Sequence, residues 1–558
     1  MSTRTHFVVW ISFLTASALL VLYACSGGGG GGGGSPPASF TGVFTQRYDA
    51  QRTGQNRQEF ALTPATVTPS TFGKLFACAV DGEVYAQPLY AANLAIAAGT
   101  HNVVLVATMN DSVYAFDADA RPCVQYWKKS FLGTGVTTVP PADTGEAGDI
   151  NTIIGITGTP VIDPATRTLY VVAKTKEPTN YFQRLHALDL ATGNEKFGGP
   201  ANISSALTVP GTGDTGDSST CSSSAGNVPF CPLRENQRPG LLLLNGMVYV
   251  AWASHGDIQP YHGWVIGYKA ADLTQAPVLF NTTPNGGLGG IWMTGTGPAA
   301  DASGNIYVIS GNGTFDTMAP RADYGDSFIK LSTAGGGLSV ADFFTPANQS
   351  FLDSNDFDVG SGGAIVLPDS AGSPTHRHLL IGGDKQGVLY VVDRDRMTGF
   401  NPNGDQILQK VPVTAGPACI ICGLFSTPAY WEGKLYVVAI RDVLKQYTVV
   451  NGTLSLLPAV QASDMFGVPG ATPAVSSNGA TNGIVWVLDT TNNGTNGSVN
   501  GAAVLFAYDA TNLNKLFSSP PNGAGAAGNA VKFTVPTVAN GKVYVGTQTE
   551  LSVFGLLP

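Results

Sequence analysis

One pattern recurs along the chain and restricts its fold more than any other feature. A small residue and a proline open it. A turn follows, then a strand rich in aromatic and β-branched residues, then a second strand that often ends in an acid. It reads "TGTPVIDPATRTLYVVAKT" and then "RLHALDLATG" around Pro160. It returns as "FSTPAYWEGKLYVVAIRDVLKQYTV" around Pro428 and "FTVPTVANGKVYVGTQTELSVFGLL" around Pro536. Looser copies surround Pro88, Pro239, Pro298, Gly362 and Pro473, giving eight in all. Alternating apolar residues put one face of each strand into a core. Asn-Gly pairs at 245–246 and 540–541 suit tight hairpin turns. Residues 41–558 divided among the copies leave roughly 65 residues per unit, enough for a four-stranded blade with loops. The expected fold is all-β: one eight-bladed propeller of four-stranded antiparallel blades over 41–558. The segment "GVFTQRYDAQRTGQN" (42–56) is expected to complete the last blade and close the ring.

Composition agrees with an exported β-protein. Only 12% of residues are charged, and Gly alone contributes 70 of 558. The net charge of −9, without a basic cluster, argues against nucleic-acid binding. Arg4 precedes the apolar run "FVVWISFLTASALLVL" (7–22), which is short for a membrane span and suits a signal-peptide core. It ends in "LYAC" (22–25), which resembles a bacterial lipobox, with Tyr23 unusual inside it. Residues 1–25 therefore read as a lipoprotein signal ending at the lipidated Cys25. Residues 26–40, "SGGGGGGGGSPP" and its flank, read as a flexible tether. An ordinary cleaved signal is the alternative. Ser26 resembles the sorting pattern for an outer membrane, so the expected location is outside the cytoplasm, with the lipid as the only membrane contact.

Seven cysteines less Cys25 leave an even set, which in an exported chain reads as disulfides. The expected pairs are Cys221 with Cys231, Cys419 with Cys422, and, by elimination, Cys78 with Cys123. No second Cys pair or nearby His turns 419–422 into a zinc site. Two long inserts, 134–155 and 208–233, are expected on one face at the channel mouth. Their acids read as solvated loop residues or calcium ligands.

The blade signature "LHALDLATGNEKF" (185–197) resembles that of the quinoprotein alcohol dehydrogenase superfamily, whose members carry pyrroloquinoline quinone (PQQ) repeats; Phe197 stands where the docking tryptophan is usual. The repeat-level likeness covers nearly the whole mature chain. Site-level likeness runs from about Ser254 to Arg394. The resemblance implies PQQ lying flat in the channel on a tryptophan, with calcium or a lanthanide at its edge. The metal polarises the quinone carbonyl, and a carboxylate removes the substrate hydroxyl proton.

Carried over residue by residue, "GGIW" (289–292) makes Trp292 the stacking floor, and a core blade tryptophan is the alternative. "YVISGN" (307–312) makes Asn312 a metal ligand, although Asn-Gly is also a hairpin turn. "GGDKQGVLYVVDR" (382–394) makes Lys385 the residue that contacts the quinone. "SHGDIQPYHG" (254–263) places Asp257 at the metal-binding acid, with His255 and His262 beside it as ligand contacts or as hydrogen-bonded structural residues. Two departures stand out. "DSFIKLSTAGGG" (326–337) puts Ser332 where the catalytic aspartate is expected, and a serine without a partner stays protonated. "VLVATMNDSVYAFD" (104–117) has Met109 and Asn110 in place of the adjacent cysteines. "SNDFDVGSGG" (354–363) retains the acids Asp356 and Asp358. The expected function is a surface-anchored propeller that binds a small molecule or a protein through a degenerate central site. A PQQ- and metal-dependent dehydrogenase of alcohols or sugars is the second expectation. A related propeller lipoprotein of outer-membrane assembly shows that this fold also serves as a scaffold.

Overall fold

The tyrosines and acids of the repeat have separate tasks. In three units the tyrosine hydroxyl crosses to the next sheet and donates to an alanine carbonyl: Tyr170 to Ala270 at 2.9 Å, Tyr436 to Ala510 at 2.6 Å, and Tyr544 to Ala118 at 3.4 Å. The strand-ending acid folds the turn that holds this alanine or its neighbours. Asp117 Oδ1 accepts from the Asp119 and Ala120 amides, and Asp189 Oδ1 from those of Ala191 and Thr192. Such Asx turns need the short side chain of Asp or Asn. Where a tryptophan is present, Trp127 Nε1 donates to the Leu190 carbonyl at 2.9 Å. Its ring lies over Gly193, whose φ is +70° and where a Cβ would meet the indole at 2.8 Å.

The structure, a computed structural model, describes residues 41–558 apart from 147, 151, 216–220, 222–224, 318–321 and 415–422. These residues form eight blades, two of four strands and six of five, and two small two-stranded sheets; the blade pairing is antiparallel except where Gln55–Asn56 joins Ala474–Asn478 and Gly399–Phe400 joins Ser339–Thr345. The second blade shows the order: Val161–Asp163, Thr168–Glu177, Asn180–Asp189 and Ala201–Ile203. The core lies between blades, where Phe72 meets Phe517 edge to face and Trp486 at a tilt of 44°. Disulfides join Cys78 to Cys123 and Cys221 to Cys231, as expected. Cys25, the tether, Cys419 and Cys422 lie outside the described residues.

Ring closure differs from expectation. The last blade, with strands Thr537–Ala539, Lys542–Gly546 and Glu550–Leu556, is completed by Phe72–Ala79 and not by residues 42–56. Residues 42–56 plug the axis instead. Val43 pairs with Tyr90, and the Phe44, Ala50, Gln51, Thr53 and Gly54 carbonyls accept from Ile162, Ala300, Val366, Tyr430 and Val475. Four of these donors lie two residues after an entry proline, and Val366 follows the Gly362 entry, each in a different blade. Arg47 donates to the Pro428 and Pro473 carbonyls, and Arg52 to those of Pro298 and Leu241. The innermost strand has no inward neighbour, so its carbonyls need donors. The arginines of the plug supply them, while its two ends, Gly42–Val43 and Gln55–Asn56, add short strands to Leu89–Ile96 and Ala474–Asn478, in blades other than the last.

Candidate functional site

The residue three positions before the entry proline lines a central cavity in five blades: Tyr85, Thr157, Asn236, Phe425 and Phe533. The carbonyls of two of these prolines, Pro428 and Pro536, accept from the plug. The cavity therefore sits along the axis from the plug, closed on that side.

Four loops bring the expected residues to this cavity. Asp257 follows strand Met247–Ser254 at φ +57°, where its amide donates to Ser254 Oγ at 3.1 Å and its Oδ1 accepts from Tyr261 at 2.6 Å. Trp292 sits on a segment tied from both sides, by Ile291 N to Trp252 O (2.9 Å) and Met293 N to Gly360 O (3.1 Å). Gly289 adopts φ +70° to donate to the Asn312 carbonyl. Asn312 donates its amide to Asp358 Oδ1 at 2.7 Å and its Nδ2 to Asp356 Oδ1 at 3.0 Å. A Cβ on Gly311 would lie 2.2 Å from Asp358. Glycine there is what lets the carboxylate approach. Lys385 closes the group, with Nζ 2.6 Å from both Asp356 and Asp358.

Asp257, Trp292, Asp358 and Lys385 line the one cavity, and Asn312 stands behind them, bonded to both aspartates. Burial and then the Asp358 charge raise the Asp257 carboxyl above the usual range. Burial lowers the Lys385 ammonium, but Asp358 and Asp356 outweigh it and raise it above the ordinary lysine value.

Ser332 does not belong to the site. The register sets Ile309 opposite Phe328 and Ile306 opposite Leu331. Asn312 therefore continues from one end of the strand pair while Ser332 lies at the other. Its Oγ accepts from the Ala334 amide at 3.2 Å. Besides Asp257 and Asp149, the acids near the cavity are Asp356 and Asp358, from the loop after the short helix Gln349–Ser354. Met109 is buried behind the wall, with Thr157 Oγ1 3.5 Å from its sulfur, and Asn110 bonds Asp81 at 2.9 Å. Both histidines take structural bonds. His262 bridges Thr283 (2.9 Å) and the Asp214 carbonyl (2.8 Å). His255 Nε2 lies 2.8 Å from Lys174 Nζ, and burial holds its imidazole well below the usual range. Burial also lowers Lys174, to about 7.

The opposite wall was not anticipated. Arg238 and Lys532 are 8% and 5% exposed and line the cavity with Phe533, whose ring lies 5.0 Å from the guanidinium and 5.5 Å from the ammonium. Lys532 pairs with Asp149 of the first insert. That insert thus reaches the channel mouth, and Arg234, just past the second insert, donates to the Thr144 carbonyl at 2.7 Å. Arg238 Nη2, Trp292 Nε1 and Asn312 Oδ1 are buried without a hydrogen-bond partner. The signal for Arg238 and Lys532 was their place within two residues of the cavity-lining positions Asn236 and Phe533.

Asp384 stands beside Lys385, buried, accepting from Tyr390 (2.7 Å) and the Val388 amide (2.9 Å). Burial raises it from 3.8 to about 6. Between those values the folded state holds a proton that the unfolded state has lost, so stability falls as pH rises through this window. The shift is worth about 3 kcal/mol. Asp384→Asn removes the titration. Urea denaturation of both proteins across that window should show the wild type losing about 3 kcal/mol more than the variant; parallel curves would refute the assignment.

Comparison with solved structures follows this geometry. The quinohemoprotein alcohol dehydrogenase of Comamonas testosteroni superimposes with a TM-score of 0.58 at 14% identity, over 93% of this chain and 81% of that one. The chain shares the quinohemoprotein alcohol dehydrogenase fold. The enzyme ADHIIG of Pseudomonas putida HK5 gives 0.57 at 14% identity, over 92% and 80% of the two chains. A europium-containing methanol dehydrogenase gives 0.57 at 14%, over 94% and 99%. No known family profile and no curated protein matches the sequence. At this identity the quinohemoprotein likeness is one of architecture.

Proposed function

We propose that the protein is an exported propeller whose central cavity binds a planar, anionic ligand, with a quinone of the PQQ class as the best fit. The observation that carries this reading is the set of unpartnered buried donors, Arg238 Nη2 and Trp292 Nε1, in a cavity that also holds Lys385, Lys532 and two phenylalanine rings. Buried donors of this kind are costly unless something accepts from them. The indole of Trp292 offers a flat face, and the cations suit carboxylates. Calcium or a lanthanide would find hard oxygen donors in Asn312 Oδ1, Asp257 and Asp358. Among the described residues no three His, Cys, Asp or Glu side chains are grouped to hold a metal. A bound ion would compete with the Lys385 ammonium for Asp358.

A dehydrogenase is the second reading, and Asp257 favours it. A bound quinone would supply an acceptor for two electrons from a hydroxyl group. In this reading an ion would rest on Asn312 Oδ1 and Asp358, and Asp257, which lines the cavity with raised proton affinity and is oriented by Tyr261, would be left to take the hydroxyl proton. Titration with PQQ, with and without calcium, tests the first reading through quenching of protein fluorescence. No saturable binding would sink it. Dye reduction over alcohols and sugars, lost in Asp257→Asn, tests the second. Anchoring through Cys25 predicts labelled palmitate on the protein and none on Cys25→Ala.

A further inference from the structure

The central cavity opens into a larger outer chamber of about 540 Å³. The two share Asp149, Phe425, Lys532 and Phe533 as a common wall. Whatever reaches the cavity by this route passes the Asp149–Lys532 pair. The far side of the chamber is chemically different. Thr491, Asn493, Thr495, Asn496 and Ser498 come from one loop; Thr491, Asn493, Thr495 and Ser498 spend their donors on Asp489, the Thr490 carbonyl and Asn493 Oδ1, which leaves hydroxyl oxygens as acceptors beside the Asn496 amide. Phe425 and Phe533 present apolar rings across from them. Arg441 lies on the rim at φ +51°, exposed, without an acid in ion-pair range among the described residues. The lining thus carries Arg441 and Lys532 against Asp149 alone. This local excess of positive charge sits on a protein of net charge −9.

We infer that this chamber is a subsite for an anionic, polyhydroxylated ligand, an acidic sugar of the uronate class. Three features of the lining match three features of such a molecule. The Asn496 amide can donate and accept, and the Thr495 and Ser498 oxygens can still accept, which suits hydroxyl groups of a sugar that donate. Aromatic rings cover the apolar face that a pyranose presents. Arg441 offers a planar fork to a carboxylate. A simple aliphatic alcohol uses none of the three. The inference deepens the quinone reading by taking the chamber as the approach to the central cavity.

Calorimetry on the full chain tests it with D-glucuronate and D-glucose. Glucuronate should bind at least tenfold more tightly. Arg441→Gln should bring its affinity down to that of glucose, and Arg441→Lys should keep most of the preference. Equal affinities for the two sugars, or a preference that survives Arg441→Gln, would overturn the assignment. Trp292→Ala separates the two readings, because it should weaken PQQ binding and leave glucuronate binding intact. Failure of PQQ to bind while the glucuronate preference holds would remove the quinone reading and leave the subsite. PQQ binding without a glucuronate preference would do the reverse.

Discussion

Arg52→Met should destabilise the protein by about 5 kcal/mol, a large effect for a single side chain. Arg52 is fully buried in the axial plug. Its Nε donates to the Pro298 carbonyl at 3.0 Å and its Nη2 to the Leu241 carbonyl at 3.0 Å. Its Nη1 donates to the Gln46 carbonyl at 2.7 Å and to Thr45 Oγ1 at 2.6 Å. Methionine fills much of the space and returns none of these bonds. Three carbonyls then lose their donor where water does not replace it, at about 1–3 kcal/mol each. Burial lowers the guanidinium to about 10, so it stays charged at neutral pH, and the loss is of charge-assisted bonds. Arg57 is the control. It is 46% exposed and pairs with Glu432 at 2.7 Å, so Arg57→Met should cost less than about 1 kcal/mol. Urea denaturation of the three proteins decides the matter. Equal losses in the two variants would mean the plug does not hold the ring.

Lys385→Met should weaken PQQ binding by about 100-fold, the size expected when one member of a buried charged pair is removed. Without the ammonium, Asp356 and Asp358 face each other and Asp257 uncompensated, and the cavity wall turns from mixed to acidic. An anionic ligand meets that change directly. Lys385→Arg should recover part of the affinity because it restores the charge. Fluorescence titration of both variants measures this, and an unchanged dissociation constant in Lys385→Met would remove Lys385 from the site. The fold of Lys385→Met can be checked by its thermal unfolding, since the lysine sits at the cavity and not in the ring closure.

Blade number and blade order were legible because each unit repeats the same local physics. The proline entry, the tyrosine that crosses to the next blade and the acid that folds the turn all leave marks at fixed spacing. Trp292, Asp257 and Lys385 were legible through motifs that lie on the loops of the cavity. What stayed hidden had long-range causes. The role of residues 42–56 depends on carbonyls hundreds of positions away, for which a local window carries no signal. Ser332 was misplaced because a strand motif does not say which of its ends faces the axis; the register decides that. Arg238 and Lys532 flank the cavity-lining position three residues before an entry proline, that of Asn236 and of Phe533, and that position emerges only when several blades are superimposed.

The plug also sets an order of events. Arg47 reaches Pro473 across 426 positions and Tyr48 reaches Pro536 across 488. Contacts this distant in sequence form slowly, because a long loop must close before they gain anything. Residues 42–56 are synthesised before every blade they touch, yet their last acceptors come from the final strands. Arg52 waits in water for Leu241 and Pro298, Arg47 for Pro428 and Pro473, and Tyr48 for Pro536. The ring therefore has a checkpoint built into its centre: a chain cut short before Pro536 can build blades, but it leaves Tyr48 without its acceptor and the axis without its full seal.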